Sequence, residues 1–225
     1  MTQDINLVAI SRAQPEWLDI GNRRARTGHF KRPVSIPVSV GPDGLAGDFI
    51  ADGKHHGGPD QALYLYSQAD IDWWSGQLER ELMPGFFGEN LTLSDWWELP
   101  RIGDRLRIGE VLLELTGPRI PCSTLAARAG EPTFAKTFAR AARSGAYVRV
   151  LEPGILEAGM SCQLEVRGAA EWPGIEETFH YWLGKTRSEA FVRRALASPI
   201  ALRMRRELDE WLVELEAGTA PLPGI

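Results

Sequence analysis

Cysteine and histidine are scarce in this chain, and it has neither a long apolar run nor an excess of basic charge. Its 225 residues include two cysteines, Cys122 and Cys162, and four histidines. Two cysteines cannot supply the four thiolates that an iron–sulfur cluster usually needs, and these two do not form a CxxC pair. The sequence therefore excludes a disulfide framework and favours a reducing compartment.

Charge and hydropathy exclude further classes of protein. The 25 basic and 30 acidic residues give a formal net charge of −5, so nothing draws the whole chain toward nucleic acid or an anionic membrane. No apolar stretch reaches the roughly 18 to 20 residues that a membrane helix needs. The first residues include Asp4 and no basic leader, so we expect no secretory signal and a cytoplasmic protein.

Short strand patterns dominate the first two thirds of the chain. Runs rich in Val, Ile, Leu and Tyr are bounded by Gly, Pro and Asp, namely INLVAIS, VSIPVSV, QALYLY, AYVRVL and CQLEVRG. The stretch RLRIGEVLLELTG predicts a hairpin from Arg105 to about Thr116, with Gly109 at the first central position of a type II′ turn. Helices are predicted only over SQADIDWWSGQLER and TFAKTFARAARSG, the second ended by Gly145. The fold class is therefore mainly β with α additions, closed or curled rather than doubly wound.

The composition changes after Gly168. IEETFHYWL, SEAFVRRALA and PIALRMRRELDEWLVELEAG are three successive helical patterns. One face of the last helix carries Met204, Leu208, Trp211, Leu212 and Leu215. We therefore predict a β domain over residues 1–168 and a C-terminal three-helix region with its tail over 169–225. The helices either form a small bundle or pack on the β domain.

Cys122 lies in GPRIPCST, directly after the predicted hairpin. Pro118 and Pro121, which both precede Cys122, fix backbone angles in this segment, and rigid loops on a β scaffold often hold reactive groups. Arg119 would favour the thiolate, which is both a nucleophile and a soft metal ligand. The alternative is a cysteine that serves as a small buried hydrophobe. Cys162 has no such neighbours, and we assign it to packing.

Three other stretches each have a functional and an ordinary interpretation. GKHHGGPDQALYLYS places His55 and His56 before two glycines, so an imidazole either faces a cavity or lies exposed on a tight turn. RRARTGHFKRP is a basic run that contains Arg24 and Lys31, and it is either a local anion site or a solvated surface. In PGFFGENLTL, Asn90 could bind the edge of a heterocycle or only stabilise its own turn.

Taken in order, three segments resemble the MOSC domain family, the family related to the C-terminal domain of molybdenum cofactor sulfurases. They are GLAGDFIADGKHHGGPDQALYLY, FFGENLTL and IGDRLRIGEVLLELTGPRIPC. Their spacing and the helical tail are most similar to bacterial members of the YiiM type. The resemblance extends over roughly residues 5–168 and implies a MOSC-type β-barrel that binds the molybdenum cofactor (Mo-molybdopterin).

The resemblance also implies roles for individual residues. The cysteine of the family's P-R-x-P-C motif, the protein ligand to molybdenum, corresponds to Cys122. Arg119 would neutralise charge on the cofactor, with Arg24 and Asn90 as further cofactor contacts. His56 and Lys31 would act as proton donor and charge partner, although His55 leaves the working imidazole ambiguous by one residue. Gln61 stands where family members often carry Arg or Lys, so one cationic contact is missing or replaced.

The activity implied is reduction of N-hydroxylated compounds such as hydroxylaminopurines by an enzyme that cleaves the N–O bond. This chain shows no dinucleotide-binding fingerprint, so a separate flavin or iron–sulfur reductase is the expected electron donor. The expected partners also include the small-molecule substrate and a homodimeric copy, but neither nucleic acid nor membrane. The alternatives are a non-catalytic cofactor or sulfur carrier that uses Cys122, and a metal-free cysteine hydrolase with Cys122 and His56 as nucleophile and base.

Overall fold

The computed structural model describes residues 4–51, 53, 57–184 and 188–218. The strands in these ranges are β1 (Ile5–Arg12), β2 (Glu16–Ile20), β3 (Arg23–Thr27), β4 (Arg32–Val34), β5 (Val38–Gly41), β6 (Gly44–Leu45), β7 (Leu63–Ser67), β8 (Leu91–Leu93), β9 (Arg105–Ile108), β10 (Val111–Pro118), β11 (Ala146–Glu152), β12 (Gly154–Leu156) and β13 (Ser161–Val166). The helices are α1 (Gln68–Gln77), α2 (Ser123–Ala129), α3 (Phe134–Ala141), α4 (Ile175–Leu183), α5 (Glu189–Leu196) and α6 (Leu202–Glu216). None of these helices has the length and apolar character that crossing a membrane requires.

Seven strands close into a barrel. Neighbouring strands pair in the order β13, β9, β10, β11, β7, β8, β1, and β1 pairs again with β13. The β7–β8 pair is parallel, and the other pairs are antiparallel. β4 continues the sheet along the part of β1 that β13 does not reach. Closure removes the free edges that an open sheet would expose, and it confirms the predicted β-barrel architecture.

Alternating apolar side chains fill the barrel, as in β1, where Leu7 is fully buried and Val8 is 41% exposed. The predicted hairpin is formed by β9 and β10, with Ile108 opposite Val111. Gly109 in its turn has a φ of +57°, as the first central position of a type II′ turn requires. β2 pairs with β3 in a separate two-stranded hairpin that the strand patterns did not indicate.

Helices α1, α2 and α3 cover one side of the barrel through an aromatic cluster. Trp74 of α1 stacks on Phe138 of α3 with ring centroids 5.8 Å apart, and its indole nitrogen donates to the Tyr66 hydroxyl at 2.9 Å. α3 ends at Ala141, and its C-cap residue Ala142 has a φ of +55°, so the prediction that Gly145 ends this helix is wrong. Gly145 instead starts the approach to β11, where a Cβ would lie 2.5 Å from the Leu65 carbonyl oxygen.

The three C-terminal helices pack on the barrel. Phe191, Val192, Met204 and Leu208 belong to the same buried cluster as the barrel residues. The junction is specific, because the Ala201 amide donates to the Thr116 carbonyl of β10 at 3.0 Å. The three predicted helices therefore form and share the core of the barrel, while the division of the chain at residue 168 stays a prediction.

Candidate functional site

A cavity of about 460 Å³ opens at the ends of several barrel strands. Its walls come from the β2–β3 hairpin, the loop before β4, the starts of β7, β8 and β11, the segment between β10 and α2, and the start of α6. Lys31, Asn90, Arg119 and Cys122 all line it. The structure thus brings together four predicted site residues that are separated by up to 91 positions in sequence.

Cys122 and Arg119 lie on the segment that leaves β10. Cys122 is partly buried and directly precedes α2, a short helix that the sequence analysis missed. Arg119 is 3% exposed, its guanidinium lies 5.2 Å from the centre of the Tyr64 ring, and its Nη1 has no hydrogen-bond partner among the described residues. Burial lowers the pKa of Arg119, but Tyr147, Tyr64 and Cys122 outweigh that effect and raise it. A fully charged guanidinium therefore stands beside the Cys122 sulfur.

Lys31 and Asn90 meet at a carboxylate that the sequence analysis missed. The Lys31 ammonium forms an ion pair with Asp48 Oδ2, and both side chains are almost fully buried, at 8% and 4% exposed. Asn90 Nδ2 donates to the same oxygen at 2.9 Å, and the Ala13 amide donates to Oδ1 at 2.8 Å. Asp48 therefore fixes both side chains at the cavity wall.

This arrangement changes the interpretation of Asn90. The side-chain oxygen Oδ1 accepts a hydrogen bond from the Tyr64 backbone amide at 3.2 Å. The backbone amide of Asn90 donates to the Tyr64 carbonyl oxygen at 2.8 Å. The side chain thus joins β7 to the start of β8 and has its donor directed at Asp48. Asn90 therefore lines the cavity mainly as a residue that holds the Asp48 carboxylate in its ion pair with Lys31.

Burial governs the protonation of two groups at this wall. Desolvation lowers the pKa of Lys31, and Asp48 and Glu89 only partly offset it by favouring the charged form. Glu89, next to Asn90 and fully buried, has its pKa raised by desolvation to about 7 although backbone amides of Gly85 and Phe87 donate to it. Both groups are therefore closer to changing protonation state near neutral pH than the same side chains in water.

Two of the predicted site residues do not join the cavity in the described part of the structure. Arg24 is 69% exposed, approaches Asp19 at 3.8 Å and lies over Trp17, on the outside of the β2–β3 hairpin. Its neighbours Arg23 and Arg26 line the cavity instead. His56, the predicted proton donor, and its neighbour His55 lie outside the described residues.

His29 is the described histidine that lines the cavity, and the sequence analysis did not single it out. It is 8% exposed and packs against Gly88, where a Cβ would lie 2.7 Å from His29 Nδ1. Its backbone amide donates to the Thr27 hydroxyl at 3.1 Å. The sequence signal that could have indicated His29 was its position two residues before Lys31. When one residue of a short loop lines a cavity, its neighbours in that loop lie close to the cavity as well.

Comparison with known proteins identifies the family. The MOSC domain matches residues 52–163. The YflK protein of Bacillus subtilis (strain 168) is 32% identical over 164 residues, which span 72% of this chain and 74% of YflK. A protein of Gibberella moniliformis named Reductase is 33% identical over 150 residues, 64% of this chain but 26% of that protein. The crystal structure of YiiM from Geobacillus stearothermophilus superposes with a TM-score of 0.77 at 27% identity, covering 92% of this chain and 99% of YiiM. In sequence and in fold, this chain belongs to the MOSC domain family.

Proposed function

We propose that this chain is a molybdenum-cofactor-dependent reductase that converts N-hydroxylated compounds, such as hydroxylaminopurines, to amines. MOSC domains are associated with the molybdenum cofactor, and one relative carries the name Reductase. The observation that carries the proposal is the meeting of Cys122, Arg119 and Lys31 at one cavity.

The donor set of the cavity fits this cofactor. Cys122 offers a soft sulfur ligand of the kind that suits a soft metal centre. Nη1 of buried Arg119 has no hydrogen-bond partner among the described residues and could donate to an anionic group, such as the phosphate or dithiolene of the cofactor. No carboxylate is among the described residues that line the cavity, and the Asp48 carboxylate behind its wall is paired with Lys31. Cys122 would hold the metal and Arg119 the charged groups around it.

The reaction needs two electrons and two protons for each N–O bond that is cleaved, and it yields the amine and water. When bound, the cofactor would supply the electrons. The residues of this chain would orient the substrate, exclude water and deliver protons. The buried wall formed by Asp48, Lys31 and Asn90 suits these tasks because its side chains are fixed before a ligand arrives.

Lys31 would stabilise negative charge on the departing oxygen and donate a proton to it. Its lowered pKa makes proton release easier than for a lysine in water, and Asp48 keeps the ammonium directed at a fixed point. His29 is the described imidazole at the cavity and is a second proton donor, alongside the predicted donor His56. An imidazole suits the task because its ordinary pKa of about 6.5 lets it cycle near neutrality.

The electrons would come from outside this chain. The two cysteines of this chain cannot supply the four thiolates that an iron–sulfur cluster usually needs, so we assign re-reduction to a separate flavin or iron–sulfur reductase.

The proposal is tested by metal and pterin analysis of the protein purified from a host competent in molybdenum cofactor synthesis. We expect stoichiometric molybdenum in the native protein, loss of molybdenum in Cys122→Ser, and no loss in the control Cys162→Ala, whose thiol is buried in the barrel core. Multiple turnover of a hydroxylaminopurine with an artificial electron donor should accompany the metal.

The other outcomes identify the alternative functions. Bound molybdenum without turnover would contradict the reductase and indicate a carrier. Absence of molybdenum, together with hydrolytic activity that alkylation of Cys122 abolishes, would indicate the cysteine hydrolase.

A further inference from the structure

Glu89 is a buried carboxylate to which the proposed reaction gives no role. It is fully buried one residue before Asn90 and is not among the described residues that line the cavity. Its oxygens accept hydrogen bonds from two backbone amides and a hydroxyl. The Gly85 amide donates to Oε1, the Phe87 amide donates to Oε2 at 3.0 Å, and the Thr92 hydroxyl donates to Oε1 at 3.3 Å. A carboxylate at this depth requires such donors, and they fix its position.

The two backbone donors belong to a tight turn over residues 85–88, which we call the glycine turn. The Gly88 amide donates to the Gly85 carbonyl oxygen at 3.0 Å. Gly85 has a φ of +90° and Gly88 a φ of +82°, angles that other residue types adopt only with strain. Glu89 directly follows this turn and joins its first and third residues through one carboxylate.

The glycine turn packs against the segment that carries His29 and Lys31. A Cβ at Gly85 would lie 2.5 Å from the Lys31 carbonyl oxygen, and a Cβ at Gly88 would lie 2.7 Å from His29 Nδ1. A side chain at either glycine would collide with this segment, so the backbone of the turn lies directly against it. The Lys31 amide donates to the His29 carbonyl oxygen at 2.9 Å, so the two cavity residues share one short segment. The position of the turn therefore determines where both of them stand.

The charge of Glu89 also acts on Lys31. Desolvation lowers the pKa of Lys31, Asp48 opposes that lowering, and Glu89 opposes it further, whereas Arg119 adds to it. The other titratable groups on which the charge of Glu89 acts are Tyr64 and Tyr66 of β7 and Arg128 of α2. Of these groups Lys31 is the one to which the proposed reaction gives a role, so Glu89 affects both its place and its protonation.

We infer that Glu89 is a positioning residue, which holds the glycine turn against residues 29–31 and thereby fixes Lys31 and His29 at the cavity. Glu89 lies behind the residues that line the cavity and acts through them, without a contact to a ligand of its own. Its effect on turnover rests on the proposed function, whereas its effect on Lys31 does not.

The first arm of the test observes Lys31 directly and requires neither cofactor nor turnover. The pH titration of Lys31 is followed by NMR in full-length protein that contains isotope-labelled lysine, and the signal is assigned by its loss in Lys31→Arg. The native protein is compared with Glu89→Gln and with the control Glu114→Gln. Glu114 is also a buried carboxylate, but it pairs with arginines on the barrel and is not among the groups that shift Lys31. We expect the pKa of Lys31 to fall in Glu89→Gln and to keep its native value in Glu114→Gln.

The second arm displaces the glycine turn and leaves the Glu89 carboxylate in place. Gly85→Ala combines a φ of +90° with a Cβ 2.5 Å from the Lys31 carbonyl oxygen, whereas the control Gly159→Ala has a φ of +94° and open space around the Cβ. Both variants carry the backbone strain, so a difference between them reports displacement of the Lys31 segment. We expect the NMR titration of Lys31 to change in Gly85→Ala and to remain native in Gly159→Ala.

The third arm measures turnover of a hydroxylaminopurine by the cofactor-loaded protein with an artificial electron donor. Gly85→Ala and Glu89→Gln should each lower kcat about tenfold or more and change KM little, because a small displacement of a group that acts on the departing oxygen is costly. In Glu89→Gln the alkaline limb of the pH profile should also move to lower pH, which a loss of stability alone would not cause.

Two results would overturn the inference. One is a Lys31 titration in Glu89→Gln that equals the native one, or that shifts no more than in Glu114→Gln. The other is an equal effect of Gly85→Ala and Gly159→Ala on the Lys31 signal, and this comparison decides the question if Glu89→Gln does not fold. A native protein without turnover would contradict the proposed function, while the NMR titrations would still decide the role of Glu89.

Discussion

Replacing Asp48 by Asn should cost this protein a large part of its stability. The side chains of Asp48 and Lys31 are both almost fully buried, and the carboxylate is the ion-pair partner of the ammonium. The side-chain oxygen of Asn at position 48 could still accept a hydrogen bond from the Ala13 backbone amide. Its side-chain NH2 group would face Lys31 Nζ and Asn90 Nδ2, which are also donors, so neither of them would find an acceptor there. Removing one partner of a buried pair leaves an uncompensated charge and typically costs about 3 to 5 kcal/mol. Since small domains have only about 5 to 15 kcal/mol in total, the change should be obvious in urea denaturation.

The pH dependence of this deficit is a sharper test. The pKa of Lys31 is already lowered from 10.5 by burial, and Asp48 opposes that lowering, so Asp48→Asn should lower the pKa further. Between the folded pKa and 10.5 the unfolded chain binds more protons, so stability rises with pH in that window. Because the folded pKa of Lys31 is lower in Asp48→Asn, this pH range begins at a lower pH in the variant, and its stability begins to rise earlier. The stability lost in the variant relative to the native protein should therefore be smaller at about pH 9 than at about pH 6.

Two companion variants make the result interpretable. Asp43→Asn changes an exposed carboxylate five residues away and should be nearly neutral. Adding Lys31→Met to Asp48→Asn removes the stranded charge and should recover much of the lost stability. A loss below about 1 kcal/mol, or a double variant no more stable than Asp48→Asn, would refute the account of this wall.

Two further predictions concern the loop that precedes β8. Glu89, with its pKa at about 7 against 4.5 when unfolded, should make stability fall as pH rises through that range, by about 3 kcal/mol. Glu89→Gln should remove this pH dependence. If the stability of the variant, measured by denaturation, still changed with pH as in the native protein, Glu89 would not be its source. In Gly88→Ala the residue has a φ of +82° and its added Cβ would lie only 2.7 Å from His29 Nδ1. The control is Gly159→Ala, where φ is +94° and an added Cβ would meet open space. We expect Gly88→Ala to be the more destabilising in thermal melts and to impair turnover, and equal effects would show that the contact with His29 does not matter.

The secondary-structure elements that short sequence patterns determine could be predicted from the sequence. Alternating apolar residues and a glycine at position 109 were sufficient for the β1 strand and the β9–β10 hairpin. The Gly21-Asn22 pair between two short strands was a usable turn signal for the β2–β3 hairpin. Because the hairpin was not predicted, the sequence could not show that Arg23 and Arg26 line the cavity while Arg24 does not. Likewise, the short helix α2 had its stop signal in Gly130.

Contacts between distant parts of the chain left no local pattern. Asp48 lies 17 positions from Lys31 and 42 from Asn90, in a stretch that reads as an ordinary turn. Arg203 stood in a helix whose periodicity identified only its apolar face. The resemblance to the family indicated which residues to examine, but the presence of Arg203 of α6 at the cavity that Gln61 also lines required the three-dimensional arrangement.

The pairing of β1 with β13 has a consequence for the order of folding. Ile5 and Asn6 lie opposite Cys162 and Ser161, so the ring closes through contacts that span more than 150 positions. Such non-local pairings slow folding because the loop must be closed before the contacts form. During synthesis the amino-terminal strand must wait for nearly the whole barrel sequence to emerge, and α6 follows later still. The cavity is therefore complete only once the barrel walls and the start of α6 have come together, so a ligand meets the finished site only after both have formed.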